Sequence, residues 1–180
     1  MRKVIVSAQI SMDGIVDAPH DNFFPYSDDE LVAFHNDLLF SAGALIMGRV
    51  TYESFADYWP TQNSGPFDDR MNSIPKYVAS RSLQEPLRWN ASLLKDVAAG
   101  VFALKQQPGQ YILQYGMGEL SYFLLEHGLI DEIRLQVHPV VIGKGIYIFE
   151  GVDKSTFKLV NSKTFSKGVL ALTYQPKRNA

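Results

Sequence analysis

The chain contains no cysteine, which removes disulfides, thiolate nucleophiles and cysteine-ligated zinc from consideration. It also lacks an excess of charge of either sign, since 17 basic against 19 acidic residues leave a net charge of −2. A field that weak does not hold a polyanionic backbone without a concentrated patch. The basic residues from Lys154 to Arg178 are spaced along strand-like runs, as on a solvated strand face, so no nucleic-acid partner is expected. No apolar run approaches the roughly 18 to 20 residues that span a bilayer. The run after Met1-Arg2-Lys3 is too short and too polar for a signal peptide. A soluble, cytoplasmic protein with no membrane partner is therefore expected. Repeats, low-complexity tracts and linkers are missing too, and 180 residues with 46% apolar composition suit a single domain over residues 1–180.

What is present alternates between strand and helix. Val4 to Ile10 is rich in β-branched residues and runs into Ser11-Met12-Asp13-Gly14, as a buried strand feeding a loop. Val16 to Ser27 has no period and reads as a long loop. Ser27 is placed to cap a helix with Asp28, Asp29 and Glu30 in its first turn and Leu31, Phe34, Leu38 and Leu39 on one face, ended by Gly43. Ala44 to Met47 is a short apolar run suited to a strand covered on both faces, and Gly48-Arg49-Val50-Thr51 turns into a helix through Tyr52, Phe55 and Tyr58. After a loop at Pro60 to Pro66 come a strand over Lys76 to Ser80, a helix over Leu93 to Leu104, a strand over Tyr111 to Gln114, and a helix over Glu119 to His127. From Asp131 the apolar residues alternate, and Phe157 to Thr164 and Val169 to Tyr174 read as a hairpin turning at Lys167-Gly168. The fold class is α/β, with three α/β/α layers and a mostly parallel central sheet ending in antiparallel strands.

In open α/β sheets ligands bind beyond the carboxyl ends of the parallel strands, so four junctions carry the candidate chemistry. Ser11 to Gly14 is one. Gly48-Arg49-Val50-Thr51 places a glycine where backbone can approach a ligand and then opens a helix whose free N–H groups favour phosphate. Tyr115-Gly116-Met117-Gly118-Glu119 does the same ahead of another helix. Two helix starts facing one crevice imply a dinucleotide. At the remaining junction, Ser80-Arg81, a guanidinium beside a hydroxyl suits an adenosine 2′-phosphate, which points to NADPH over NADH. A Rossmann fingerprint built on Gly116 and Gly118 is disfavoured, because it follows three strands and has Ser121 as its third small residue. The four histidines, His20, His35, His127 and His138, show no metal-ligand spacing, so no metal is expected. His20, in the first long loop, is read either as a substrate contact or as an exposed loop residue, and Trp59 as a pocket rim or as packing.

The stretch Ala44 to Phe55 resembles the strand, turn and helix of dihydrofolate reductases, where the Gly-Arg-x-Thr segment holds the cofactor pyrophosphate. Ser11 to Gly14, Tyr58-Trp59-Pro60, Lys76 to Arg81, Leu124 to Glu132 and Pro139 to Gly145 are similar to the reductase half of the bifunctional riboflavin-pathway deaminase/reductases, the RibD C-terminal domain family. The resemblance covers nearly the whole chain. It implies a dihydrofolate-reductase-like fold, an NADPH-dependent reductase of a small C=N or C=O substrate, and a homodimer. The family's best-known substrate is a phosphoribosylamino pyrimidine. Dihydrofolate reduction and a nucleotide-binding module without turnover stand as alternatives. The cofactor-binding set it implies is Gly48, Arg49, Thr51, Ser80, Arg81, Tyr115, Gly116, Met117, Gly118 and Glu119. Tyr115 departs from the family's glycine-rich turn and is expected to narrow the pocket. The zinc-deaminase motifs are absent, leaving only reductase chemistry. Glu30 aligns with the folate reductases' pterin-binding carboxylate, its other reading being a helix-dipole partner. Asp13 is either a substrate or cofactor contact or an Asp-Gly turn residue. Phe34 is read as core.

Overall fold

The computed structural model describes residues 1–17 and 20–177. Eight strands form one sheet: β1 (Val4–Ser11), β2 (Ala42–Gly48), β3 (Lys76–Ala79), β4 (Ala91–Leu94), β5 (Tyr111–Tyr115), β6 (Glu132–His138), β7 (Phe157–Thr164) and β8 (Leu170–Pro176). The order across it is β4-β3-β2-β5-β1-β6-β8-β7. Strands β1 to β6 pair in parallel, and the β7–β8 hairpin adds antiparallel to β6. The helices are α1 (Asp29–Phe40), α2 (Arg49–Tyr58), α3 (Pro66–Ser73), α4 (Val97–Gln106) and α5 (Glu119–Glu126). Among the described residues no helix is long and apolar enough to cross a membrane.

Side-chain alternation along the strands sorts the helices into two layers. Even-numbered β1 residues Val4, Val6, Ala8 and Ile10 pack with Val101 and Leu104 of α4 and Leu124 of α5. Ile5 of β1 shares the other face with Leu45, Met47, Val78 and Leu113, beneath Leu38 and Leu39 of α1, Ala56 of α2 and Met71 of α3. Each crossover is right-handed only if chain moving one way across the sheet uses one face and chain moving back uses the other. The chain steps outward from β1 through β2 to β4, returns to insert β5 between β2 and β1, and continues to β6. The layers differ for that reason.

Several sequence expectations are corrected. The helix read over Leu93 to Leu104 starts only at Val97, capped by Asp96, which accepts from the Ala99 amide. The residues before it form edge strand β4, with Ala91 to Leu94 in register with Lys76 to Ala79. Its four half-buried or exposed residues are too few to display a period of two. Helix α3 was not anticipated; Pro66 opens it, and Asp68 accepts from the Ser64 amide and hydroxyl. Asp28, not Ser27, caps α1 by accepting from the Leu31 amide. Helix α1 ends at Phe40, and Gly43 lies within β2. As expected, the antiparallel strands are those of the C-terminal hairpin, and the alternating segment from Asp131 pairs in parallel with β1.

Candidate active site

Residues Leu45 of β2 and Leu113 of β5 are register partners. Gly48 and Gly116 each lie three residues further on, so the two turns leave adjacent strands at the same level. Gly48 is also paired with Ala79, which places Ser80 and Arg81 beside it. Chain leaving β2 enters α2 on one face of the sheet, and chain leaving β5 enters α5 on the other. That divergence opens a crevice between the strand ends.

The two helix starts at the crevice are bare. Helices α1 and α4 have side-chain caps from Asp28 and Asp96, whereas Gly48 and Gly118 at the starts of α2 and α5 provide none. First-turn amides left without such partners are ready to bind an anion. A Cβ built on Gly48, Gly116 or Gly118 would have no atom within 4 Å, so backbone is open to close approach at all three. Gly116 has φ +81°, which favours glycine by itself. Gly48 and Gly118 are extended at φ −76° and −179°, and any residue can adopt those angles. The bare turn, uncapped helices and exposed cations fit a dinucleotide diphosphate.

The other predicted cofactor residues surround this turn. Arg49 is exposed, and its guanidinium bonds Glu53 at 2.8 Å. Thr51 is half-buried and Glu119 exposed, each in the first turn of its helix. The Ser80 hydroxyl is buried and accepts from the Ser82 and Leu83 amides at 3.2 and 3.1 Å, fixing the turn from which exposed Arg81 projects. Met117 is buried in the α4–α5 layer and anchors the second turn.

A cleft of about 780 Å³ continues from Gly116 across the face that carries α1, α2 and α3. Ser7, Gln9, Tyr115 and Gln136 form its floor, and His35, Phe55, Trp59 and Phe67 contribute walls. The Tyr115 phenolic oxygen is buried, with no hydrogen-bond partner among the described residues. Burial, reinforced by Tyr111, pushes its pKa up, so it stays protonated. Tyr115 lines the cleft next to Gly116. Trp59 lines the cleft while packing edge-on to Phe55 and Tyr58. A shallower depression of about 490 Å³ beside Arg88 and Trp89 lies near the start of β3, where Trp89 covers Lys76.

Neither predicted catalytic carboxylate is among the described residues lining this cleft. Asp13 accepts from the Ser11 hydroxyl at 2.6 Å and from the Gly143 and Ile142 amides at 2.7 and 3.1 Å. These bonds, the one from Ser11 largest, hold its carboxyl below the ordinary range. Glu30, on the exposed start of α1, pairs with Lys163 of β7 at 2.8 Å. Phe34 packs edge-on against Phe165 at 5.7 Å, in the core beneath the hairpin. The His20 side chain lies outside the described residues.

Sequence reasoning missed Ser7, Gln9, His35, Phe55 and Gln136 as cleft residues. Strands β1 and β6 carried the signal for the floor. Positions 4, 6, 8 and 10 are apolar, but the opposite face changes from Ile5 to Ser7, Gln9 and Ser11, and β6 places Glu132, Arg134, Gln136 and His138 on the same side. A strand in a covered sheet that turns polar on one face marks a place where no helix covers it.

Three α/β/α layers, β5 inserted between β1 and β2, and a cleft at the strand ends define a dihydrofolate-reductase-like protein. The chain belongs to the RibD C-terminal domain family, whose sequence profile matches residues 2–171. It is 30% identical over 179 residues to the uncharacterized protein YyaP of Bacillus subtilis (strain 168), covering 96% of this chain and 94% of that one. Among solved structures it resembles a pyrimidine reductase-like protein from Corynebacterium diphtheriae, with a TM-score of 0.70 at 12% identity over 99% of this chain and 93% of that one. It also resembles a diaminohydroxyphosphoribosylaminopyrimidine deaminase/5-amino-6-(5-phosphoribosylamino)uracil reductase from Thermotoga maritima, with a TM-score of 0.68 at 16% identity. That match covers 98% of this chain and 57% of the Thermotoga chain.

Proposed function

We propose that the protein is an NADPH-dependent reductase acting on a C=N or C=O group of a small molecule. The observation that carries this reading is the pair of uncapped helix starts at Gly48 and Gly118, set at neighbouring strand ends beside the cleft. Gly48, Arg49, Thr51 and the turn from Gly116 to Glu119 would hold the diphosphate, with Ser80 and Arg81 reading the 2′-phosphate. When bound, the cofactor supplies hydride.

The chain's own residues position and enclose. Phe55, Trp59 and Phe67 keep water from one wall of the cleft. The protonated phenol of Tyr115 offers a hydrogen bond to an atom that gains charge. Asp13 acts in this reading by fixing the segment at Ile142 and Gly143 over the end of β1, and Glu30 by fixing α1 to the hairpin. Turnover by Asp13→Asn and Glu30→Gln tests those roles. A loss of about a hundredfold in kcat marks direct proton transfer, within the usual contribution of general acid-base groups.

Thermal shift tests the cofactor assignment. NADPH should raise the melting temperature more than NADH, and Arg81→Ala should abolish the difference. Equal shifts would overturn Arg81 as the phosphate reader. Loss of NADPH absorbance with carbonyl and imine substrates tests turnover, and binding without turnover would support the nucleotide-binding module instead. Homodimerisation belongs to the same proposal, and sedimentation at only the 20.2 kDa monomer mass would dismiss it.

A further inference from the structure

We propose that the depression beside Trp89 is a second ligand site, one that takes a small carboxylate carried on a flat apolar ring. Ala56, Pro60, Asn72, Arg88 and Trp89 line its volume of about 490 Å³, which is within the range of small-molecule sites. Among the described residues it shares no lining residue with the cleft. Phe55 stands at the boundary, since it lines the cleft and packs edge-on against Trp89 at 6.4 Å. The site is therefore independent of the reductase reading.

The charge around the Trp89 indole is unbalanced. The buried Lys76 ammonium lies 4.1 Å from the ring centre and donates to the backbone carbonyls of Asn72 and Ile74 at 3.0 and 2.7 Å. Arg70, close enough to repel Lys76, bonds the Ala42 carbonyl. Neither cation forms an ion pair among the described residues. Asp57 bonds Arg88, but both side chains of that pair are more than half exposed, so the pair is weak and Arg88 is open to exchange. An anion in the depression would lie in the field of three cations while displacing one loosely held carboxylate. Burial and Arg70 together lower the Lys76 pKa to about 8, the mark of a charge without a counter-charge, and a neighbouring anion offsets that penalty. The aromatic surface is fixed in advance. The indole N–H of Trp89 donates to the Asn72 side-chain oxygen at 2.8 Å, and the Tyr52 hydroxyl bonds both the amide and the carbonyl of Arg88 at 3.1 Å. These bonds hold Trp89 and Asn90 in the left-handed region at φ +62° and +51°. A rigid ring face favours a flat apolar partner over a flexible chain.

Benzoate and benzamide share a ring and differ in charge, so they serve as the probes. Trp59 in the cleft and Trp89 in the depression are the chain's two tryptophans, and the spectrum of Trp59→Phe assigns their indole N–H resonances. At about pH 7 and constant ionic strength, benzoate titrated to about 20 mM should move the Trp89 resonance, with an affinity at least about threefold above that of benzamide. Arg88→Gln should weaken benzoate by at least about threefold and leave benzamide unchanged. Asp57→Asn, which frees Arg88, should strengthen benzoate, and Lys76→Met should weaken it. If Lys76→Met does not fold, the exposed positions 57 and 88 decide the matter. A still Trp89 resonance, equal affinity for the two probes, or a shift confined to Trp59 overturns the proposal, as does undiminished benzoate binding by Arg88→Gln.

Discussion

Glycine is placed at a helix start either because the backbone requires it or because something must come close. At Gly118 the first reason does not apply, since φ is −179° and a Cβ there would meet no atom within 4 Å. Gly118→Ala should therefore change unfolding free energy by less than about 0.5 kcal/mol. If the diphosphate lies against this backbone, the same change weakens NADPH binding by about tenfold or more, measured by calorimetry. Undiminished affinity would remove the diphosphate from that turn. Lys76 is a different residue-scale case. It is 1% exposed, lies 4.1 Å from the Trp89 ring centre and donates to the Asn72 and Ile74 carbonyls. Burial, with Arg70 nearby, lowers its pKa from 10.5 to about 8. Between those two values the unfolded chain binds more protons at this position than the folded one, so its contribution to stability rises with pH across that window and is lost as pH falls through the lower value. The rise is about 3 kcal/mol at most. Urea unfolding at both ends of the window should show the unmodified protein gaining stability relative to Lys76→Met. Parallel pH dependences for the two would show that the buried amine is not perturbed.

At the scale of elements, legibility in the sequence followed periodicity. Strand β1 and helices α1, α2 and α5 were readable because each is long enough to repeat its pattern. Strand β4 was hidden because four residues at a sheet edge show none, and the Leu93–Val97–Val101 spacing continued backwards into it. The turns at Gly48 and Gly116 were legible because glycine beside a helix start is a local signal. The cleft was not, because Gln9 and Gln136 are 127 positions apart and meet only through the pairing of β1 with β6. Asp13 was ambiguous for the same reason, since its acceptors' partners at Ile142 and Gly143 are remote in sequence. Those bonds tie the first strand-end turn to the segment that also bridges Ile15 to Tyr147. Asp13→Ala should speed amide exchange at Ile142, Gly143 and Ile146 while leaving β1 itself protected. Unchanged exchange there would deny the carboxylate its structural role. Asp28 ties two elements together as well, accepting from the Leu31 amide and from the Ser166 hydroxyl at 2.5 Å, and Asp28→Ala should lower the midpoint of chemical unfolding.

Across the whole molecule, one face of the sheet is covered by two separate apolar groups with the cleft between them. Leu38 and Leu39, in the last turns of α1, belong to the group over β2, β3 and β5. Leu31 and Phe34, in its first turns, belong to the group formed with Phe165, Val169 and Ala171 of the terminal hairpin. Helix α1 therefore bridges the cleft, and His35 lies between the two anchored ends on the cleft wall. The hairpin is remote from the turns at Gly48 and Gly116, yet it determines where one wall stands. Phe165 is 2% exposed and packs edge-on against Phe34, so Phe165→Ala should cost about 3 to 5 kcal/mol. Because only the first half of α1 loses its support, small-ligand binding in the cleft should weaken by about tenfold or more while NADPH affinity changes by less than about threefold. Equal loss at both sites would show that the hairpin supports the fold as a whole and that α1 is not an independent wall.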